Sequence, residues 1–170
     1  AEYSAEREED LPVLDEDSPT KKESERLALE GYVSSLWSGV RIVRSGGIYG
    51  PGRCMAARFR EGDFRRTESG NLMVSRIHVH DLARLVLAVG RLEGTAGPTI
   101  VNAVDERSSS NRETFTYLGQ RLGMDIPGDW RTAKPQGRQV VSKYAKTLLK
   151  GRFAYPSYKE GFDECLTEEE

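Results

Sequence analysis

Residues 44–53 read Arg-Ser-Gly-Gly-Ile-Tyr-Gly-Pro-Gly-Arg, a glycine-rich segment with an arginine at each end. The preceding run Val40-Arg41-Ile42-Val43 has the β-branched content of a buried strand, and residues 54–57 suit the start of a helix. A strand, a glycine-rich turn and a helix often form the rim of a ligand site, because glycine lets the backbone approach a bound group closely. The pattern is equally typical of an ordinary connection between elements, so these residues alone leave both interpretations open.

Length and composition indicate one domain that buries part of its surface against another molecule. The 170 residues suffice for one core and a small satellite, but only 37% are hydrophobic and the mean hydropathy is -0.59. The sequence has no apolar run of membrane length, no signal-peptide pattern at its start, and only two cysteines, Cys54 and Cys165. These features predict a soluble protein without a membrane span in a reducing compartment, either the cytoplasm or an organelle stroma or matrix.

Charge is unevenly distributed along the chain. Residues 1–30 carry a net charge of -7, residues 31–160 a net charge of +10, and residues 161–170 a net charge of -5. A basic body between acidic ends favours an anionic ligand such as a phosphate or a nucleotide, or RNA. A solvated surface with two acidic tails explains the same distribution, and the charge pattern does not separate the two interpretations.

Strand patterns alternate with helix patterns along the chain, which predicts an α/β fold. Capping boxes at residues 20–23 and 110–113 predict helices that end at Gly39 and Gly123. Further elements are predicted as strands over 40–44, 73–79 and 99–104 and as helices over 52–60, from His80 or Asp81, from Ser142 and from Ser157.

Two familiar ligand motifs are incomplete in this sequence. The nearest match to the dinucleotide-binding G-x-G-x-x-G begins at residues 50–52, but it lacks the third glycine, and Pro51 has no amide donor for a phosphate. His78, His80 and Asp81 could begin a metal site, but no further ligand is evident, so we predict no metal. We expect His78 to be packed or hydrogen-bonded and Asp81 to cap a helix.

Four segments resemble the extended and atypical short-chain dehydrogenase/reductases, a family that includes NAD-dependent epimerases and dehydratases. VRIVRSGGIYGPGR at 40–53 resembles the segment that follows their active-site helix, and SRIHVHDLARL at 75–85 resembles their R-I-H-V-D-D-L-A stretch. IVNAVD at 100–105 resembles a later strand, and YPSYKEGF at 155–162 resembles their C-terminal tail. The segments occur in the family's order and span roughly residues 11–166.

The resemblance implies the second half of a Rossmann-type NAD(P)-binding fold with a small substrate-side subdomain. The family's first strands and glycine-rich loop would then lie before Ala1. On this basis we expect residues 1–18 to form an acidic loop or arm, residues 19–166 the C-terminal half of the domain, and residues 167–170 an acidic tail.

The resemblance also indicates which residues of this chain occupy the family's catalytic positions. Glu30 matches a helical glutamate of the family, which places Arg26 at the position of the catalytic lysine and Lys22 at that of the catalytic tyrosine. Lysine offers no phenolic acid near neutral pH and arginine stays charged, so the standard hydride-transfer pair is predicted to be degenerate. Tyr49 is then a candidate for an alternative acid.

Binding positions carry over in the same way, with NAD or NADP as the implied cofactor. Three residues match the stretch that lies near the nicotinamide: Gly46, Gly47 and Ile48. Three others match or point toward the substrate side: Arg53, Arg76 and His78.

These expectations together predict an atypical short-chain dehydrogenase/reductase-like protein that binds NAD(P) or serves as a scaffold or accessory subunit. Its partner would be a protein complex or the missing N-terminal half. One alternative is an active NAD(P)-dependent sugar-nucleotide epimerase or reductase. Another is an RNA-associated member of the family, an interpretation that the net charge of +10 on residues 31–160 supports.

Overall fold

The computed structural model describes residues 11–20, 24–61, 72–125 and 136–168, and it confirms the α/β class. The strands of this part of the chain are β1 (Val13–Leu14), β2 (Ile42–Ser45), β3 (Gly47–Tyr49), β4 (Leu72–Val74), β5 (Arg76–His78), β6 (Ile100–Ala103), β7 (Ser109–Ser110), β8 (Gln136–Gly137) and β9 (Gln139–Val140). Its helices are α1 (Glu25–Leu36), α2 (Met55–Arg60), α3 (Val79–Gly90), α4 (Asn111–Leu122), α5 (Ala145–Leu148) and α6 (Tyr158–Glu168).

The strand pairing is mostly parallel, as an α/β fold requires. β2 pairs with β6 from Ile42 opposite Ile100 to the end of both strands, and β3 pairs with β5. β1 pairs in parallel with β9, while β4 lies between β7, which is antiparallel to it, and β8, which is parallel. β2 and β3 therefore follow one another as a nearly continuous strand, which we call the central strand path. Its first part, β2, pairs with β6, and its second part, β3, pairs with β5.

Gly46 is the point at which this strand path changes partner. Its amide donates to the carbonyl of Ala103 at 2.9 Å, whereas the next amide, that of Gly47, donates to the carbonyl of Ser75 at 2.9 Å. A Cβ atom on Gly46 would lie 2.5 Å from the Ser75 carbonyl oxygen, so only glycine allows this approach. The glycine pair thus turns a continuous strand from β6 towards β5.

Helix α1 is attached to the fold by few contacts and has no buried residue. An ion pair joins it to the sheet. The buried guanidinium of Arg44 on β2 donates to both carboxylate oxygens of Glu30, and the shortest distance, from Nη2 to Oε2, is 2.7 Å. The helix begins after Ser24 and ends at Leu36, three residues before the predicted end at Gly39. The capping box predicted at 20–23 falls largely on residues outside the described part of the chain.

Helix α4 confirms the second predicted capping box. The Ser110 hydroxyl accepts from the amide of Glu113, and the Glu113 carboxylate accepts from the amide of Ser110. The helix ends at Gly123, which is left-handed with φ of 65°. Helix α3 differs from expectation, because its N-cap is His78, whose ring accepts from the amide of His80.

Both ends of the described chain contain regular structure. Val13 and Leu14 form β1, and Glu16 accepts from the amide of Asn102 and the hydroxyl of Ser142. These bonds fasten the first described segment to β6 and to the turn before α5. At the other end, α6 runs through Glu168 and so includes part of the segment expected to be an acidic tail.

Two large buried clusters hold most of the elements together, and a small third one contains Leu14, Val104 and Val140. The first joins α2, α4 and α6, with Phe59, Leu118 and Phe162 fully buried at its centre. The second joins β5 and β6 to α3 and α5 around Ile77, Leu85 and Val101. In the described segments no helix is long and apolar enough to cross a bilayer, and no group of three or more His, Cys, Asp or Glu side chains is placed to hold a metal ion.

Candidate functional site

A cleft opens where the central strand path changes partner. β2 and β6 are parallel, so their carboxyl ends meet at one edge, the edge at which ligands bind in open α/β sheets. The cleft has a volume of about 300 Å³. Its lining residues come from the strand switch, from β4, and from the segment that carries β8 and β9: Gly46, Leu72, Met73, Val74, Ser75, Val104, Gly137, Arg138 and Val140.

Ser75 fixes one side of the cleft. Its hydroxyl lies 2.6 Å from that of Ser108 and accepts from the amide of Val140 at 2.8 Å. These bonds tie the bend between β4 and β5 to β9, so the strand predicted over 73–79 is divided into two short strands at this serine. The cleft is therefore bounded by backbone that is held by hydrogen bonds.

The three residues predicted to lie near the nicotinamide differ in their position relative to the cleft. Gly46 lines it, whereas the neighbouring Gly47 is exposed, and a Cβ added to it would make ordinary van der Waals contact, with the Cγ of Arg76 nearest at 3.7 Å. Ile48 is half-buried and packs against the second core cluster. Gly46 is therefore the one of the three that lines the cleft, while Ile48 belongs to the packing of the second core cluster.

Tyr49, the candidate acid, lies in the core. Its hydroxyl is shared between Asp105 Oδ2 at 2.9 Å and the carbonyl of Ser157 at 3.0 Å, and its side chain is 4% exposed. Burial and the Asp105 carboxylate raise the pKa of Tyr49 above its ordinary value. Asp105 also accepts from the amide of His78, so one buried carboxylate joins three elements.

His78 is packed in the interior, in agreement with its prediction as a packed residue, but it is absent from the lining of the cleft, toward which the family resemblance directed it. Its ring is 1% exposed, stacks on Tyr155 with centroids 3.7 Å apart, and places Nε2 3.0 Å from a Glu164 carboxylate oxygen without the alignment of a hydrogen bond. Burial lowers the pKa of His78, and Glu164 opposes that shift. Asp81, expected as the helix cap, instead accepts from the amides of Ala154 and Tyr155.

Arg76 is buried away from any carboxylate. Its guanidinium donates to the hydroxyl of Ser109 at 2.8 Å and lies 3.9 Å from the sulfur of Met55. Among the described residues no acidic side chain lies within 4 Å of it, and burial lowers its pKa to about 10. Arg76 therefore joins β5 to β7 and α2, and it does not line the cleft.

The remaining candidates lie apart from the cleft. Arg53 is exposed after the glycine-rich segment, where its amide donates to the carbonyl of Gly50 at 2.9 Å. Arg26 is exposed on the first turn of α1. Lys22 lies outside the described residues, so the geometry of the degenerate pair is not defined.

Sequence analysis missed most of the cleft wall. Met73 and Val74 lie in the strand predicted over 73–79, for which no role was predicted, whereas Leu72 and Arg138 lie outside every predicted helix and strand. The local signal was weak, since a two-residue strand such as β9 has no periodicity to detect. Only the pairing of distant segments brings Arg138 beside Gly46.

Comparisons with known proteins bear on the fold. No family model matches the sequence, and no curated protein matches it. A solved structure of a putative NAD-dependent epimerase/dehydratase from Methylobacillus flagellatus matches 96% of this chain with 60% of its own, at 23% identity and a TM-score of 0.76. A functionally unknown conserved protein from Silicibacter pomeroyi matches 92% of this chain with 61% of its own, at 22% identity and a TM-score of 0.70.

A third solved structure contains ligands. It is MoeE5 in complex with UDP-glucose and NAD, which matches 92% of this chain with 58% of its own, at 18% identity and a TM-score of 0.68. The chain thus spans less than two thirds of the length of each of these structures. At such identities a match establishes the fold alone: the chain has the Rossmann-type α/β fold of the NAD-dependent epimerase/dehydratase structures, in an extent consistent with their C-terminal half.

Proposed function

We propose that this chain is the substrate-side half of an atypical NAD(P)-dependent epimerase/dehydratase-like protein that acts by binding, as a scaffold or accessory subunit, rather than by standard hydride transfer. The observation that carries the proposal is the cleft beside Gly46 and Gly47 at the carboxyl edge of the parallel pair β2 and β6. NAD in the MoeE5 structure supports the choice of cofactor by resemblance of fold.

A bound dinucleotide requires a phosphate loop that this sequence does not supply. We therefore assign the phosphate-binding part of the site to a second βα half, which joins the fold along the edge of β2 opposite β6. The amides of Ile42 and Gly46 donate to the carbonyls of Thr99 and Ala103 in the β6 direction, at 2.8 Å and 2.9 Å. Alternate residues of a strand direct their backbone groups to opposite neighbours, so the amides and carbonyls of residues 43 and 45 face the other edge.

In the described residues no strand pairs with that other edge. A parallel strand with one bare edge invites pairing with another strand. Helix α1 is joined to β2 by the ion pair between Glu30 and Arg44. The helix and the residue that follows it expose four large side chains, which we call the α1 apolar face: Leu29, Tyr32, Leu36 and Trp37. Parallel sheets are normally covered on both faces, so a strand paired with β2 and a helix or strand packed on the α1 apolar face would complete the layer.

Tyr49 supports a binding role more than catalysis. A general acid must reach the proton it transfers within hydrogen-bonding distance of the substrate. The Tyr49 hydroxyl is engaged in the core by Asp105 and the carbonyl of Ser157, and it does not line the cleft. With Lys22 and Arg26 at the standard positions, the chain offers no evident replacement for the tyrosine and lysine pair.

The cofactor part of the proposal is tested on the native protein, isolated through a tag at its C-terminal end. We expect NADH, followed by its fluorescence, to bind in the micromolar range, and the 170-residue chain alone to bind at least about tenfold more weakly. The intact mass should then exceed 19.0 kDa, or a second polypeptide should be present. Equal NADH affinity of the chain alone contradicts the need for a second half, and a partner-free mass of 19.0 kDa without NADH binding contradicts the cofactor proposal.

The same sample tests the docking surface. Leu29→Glu together with Trp37→Glu places two charges on the α1 apolar face and should weaken NADH binding or release the second polypeptide. Val86→Glu on α3, where the parent side chain is also about half exposed, is the matched control and should change neither. An unchanged complex in the α1 variant rejects this surface.

Loss of standard catalysis is tested by turnover. With NAD and a sugar nucleotide, we expect the native protein to show no epimerase or reductase activity above background. Lys22→Ala and Arg26→Ala are then without effect on product formation. A turnover that either substitution abolishes would show that the degenerate pair is catalytic after all, and the active-enzyme alternative would replace the scaffold role.

A further inference from the structure

We propose that the Asp105 carboxyl group, the Tyr49 hydroxyl and the Ser157 carbonyl form a pH-sensitive contact, which we call the latch. The latch holds helix α6 against the core while Asp105 is protonated, and it weakens when Asp105 ionises. None of its three residues lines the cleft, and it requires neither a cofactor nor a second half. Its test is therefore independent of the proposed function.

The Tyr49 hydroxyl has one proton and two acceptors. Its oxygen lies 2.9 Å from Asp105 Oδ2 and 3.0 Å from the carbonyl oxygen of Ser157. While Asp105 is ionised, both neighbours can only accept, so the single proton of Tyr49 can serve only one of them fully. A charged acceptor forms the stronger hydrogen bond, so the ionised carboxylate takes the proton and the bond to Ser157 weakens.

Protonation of Asp105 allows both hydrogen bonds to form. Asp105 Oδ1 accepts from the amide of His78 at 3.1 Å, so the added proton belongs on Oδ2, the oxygen that faces Tyr49. Oδ2 then donates to the Tyr49 oxygen, and the Tyr49 proton is free to be donated to the Ser157 carbonyl. The neutral carboxyl group thus completes a chain of donors from Asp105 through Tyr49 to the residue that immediately precedes α6.

Helix α6 lies directly on the Tyr49 ring. A Cβ added to Gly161 would be 2.4 Å from Cε2 of Tyr49, and the Phe162 ring meets the Tyr49 ring edge to face with centroids 5.4 Å apart. Because Ser157 immediately precedes α6, the hydrogen bond at its carbonyl fixes the start of the helix over this ring. Weakening of that bond therefore loosens α6 where it meets the core.

The groups that face Asp105 place its titration near neutral pH. Burial is the main cause that raises the pKa of Asp105 to about 7, and the buried carboxylate of Asp81 on α3 adds to it, whereas the bonds from Tyr49 and from the amide of His78 and the charge of Arg76 on β5 lower it. When α6 opens and admits water, the pKa returns toward the ordinary value of ~4. Opening then releases a proton, so it becomes more favourable as the pH rises to about 7 and changes little above that.

Further charged groups lie around the latch on neighbouring elements. Glu106 is paired with Lys146 on α5 at 2.8 Å, and Glu160 on α6 accepts from the amide and the hydroxyl of Ser157. The His78 ring lies against Glu164 of α6, and burial lowers the pKa of His78, so this ring is uncharged at neutral pH and above. In the described part of the chain none of these side chains donates to the Ser157 carbonyl, so the response of that bond to pH passes through Tyr49.

The test is amide hydrogen exchange of the purified native protein from about pH 5.5 to about pH 8, with exchange times scaled for the intrinsic chemical rate. We expect the amides of α6 to lose protection about tenfold or more over this range and to stay less protected than those of the buried strand β6. In Asp105→Asn the amide group donates to Tyr49 at every pH, so α6 should remain protected throughout. His80→Gln, which removes the exposed imidazole beside Tyr155, is the control and should respond to pH as the parent does.

A second variant tests the middle of the latch without changing a charge. Tyr49→Phe removes the donor to the Ser157 carbonyl, so near pH 5.5 its α6 should be about tenfold less protected than that of the parent. This comparison decides the matter if Asp105→Asn does not fold. Equal protection of α6 and β6 at every pH overturns the latch, and so does a response to pH that Asp105→Asn retains. Parent-like protection of α6 in Tyr49→Phe near pH 5.5 also overturns it.

Discussion

Gly161→Ala is expected to destabilise the protein by roughly 2 kcal/mol or more, although alanine is the better helix former. Gly161 lies on α6, where an added Cβ would be 2.4 Å from Cε2 and 2.8 Å from the hydroxyl oxygen of Tyr49. The Tyr49 ring has little freedom to move, because its hydroxyl is bonded to Asp105 and its edges meet the rings of His78 and Phe162. The clash therefore has to displace the helix.

The matched control is Gly31→Ala on α1, where an added Cβ meets no atom within 4 Å. Here the substitution should stabilise the protein by up to about 1 kcal/mol, which is the difference in helix propensity. Urea unfolding followed by circular dichroism measures both changes, with midpoint and slope reported separately. If the two substitutions stabilise equally, α6 is not seated against Tyr49 as described.

Elements defined by local chemistry could be predicted from the sequence. The box formed by Ser110 and Glu113 and the stop at Gly123 depend on residues within one helix, so the pattern alone specified α4. The strand before Gly46 was also recognised from its β-branched residues, although three of its four residues are only half-buried. The α/β class followed from the alternation of such elements.

Features that depend on distant residues could not be predicted in the same way. The exchange of roles between His78 and Asp81 is an example: His78 caps α3, while Asp81 accepts amides that lie more than 70 positions later. The glycine pair was predicted as either a ligand rim or an ordinary connection, but its change of partner from β6 to β5 depends on the carbonyl of Ser75. Arg138 enters the cleft only through the pairing of β8 and β9 with other strands.

Asp105→Asn is expected to change how stability depends on pH. Burial raises the pKa of Asp105 to about 7 in the folded protein, whereas an unfolded aspartate titrates near ~4. Between these values the folded state holds a proton that the unfolded state has lost, so stability falls as the pH rises through this window and stays low above it. Replacing the Asp105 carboxylate should abolish the loss of unfolding free energy that this titration causes, which amounts to roughly 2–4 kcal/mol.

The asparagine can keep the buried hydrogen bonds. Its oxygen can accept from the amide of His78, and its amino group can donate to the Tyr49 hydroxyl, which then donates fully to the carbonyl of Ser157. We therefore expect the variant to equal the parent near pH 4 and to exceed it near pH 8, in urea unfolding across the range. Asp125→Asn, at an exposed site, controls for the loss of one negative charge.

The outcome also bears on Tyr49. If the parent and Asp105→Asn lose stability in parallel from pH 4 to pH 8, Asp105 is not held protonated by burial, and the environment of the tyrosine is more polar than described. If the curves diverge as expected, the Tyr49 hydroxyl faces a carboxyl group that is neutral below about pH 7, in a site from which water is excluded. A phenol in that setting keeps its proton and serves the packing of α6, which agrees with a structural role for Tyr49.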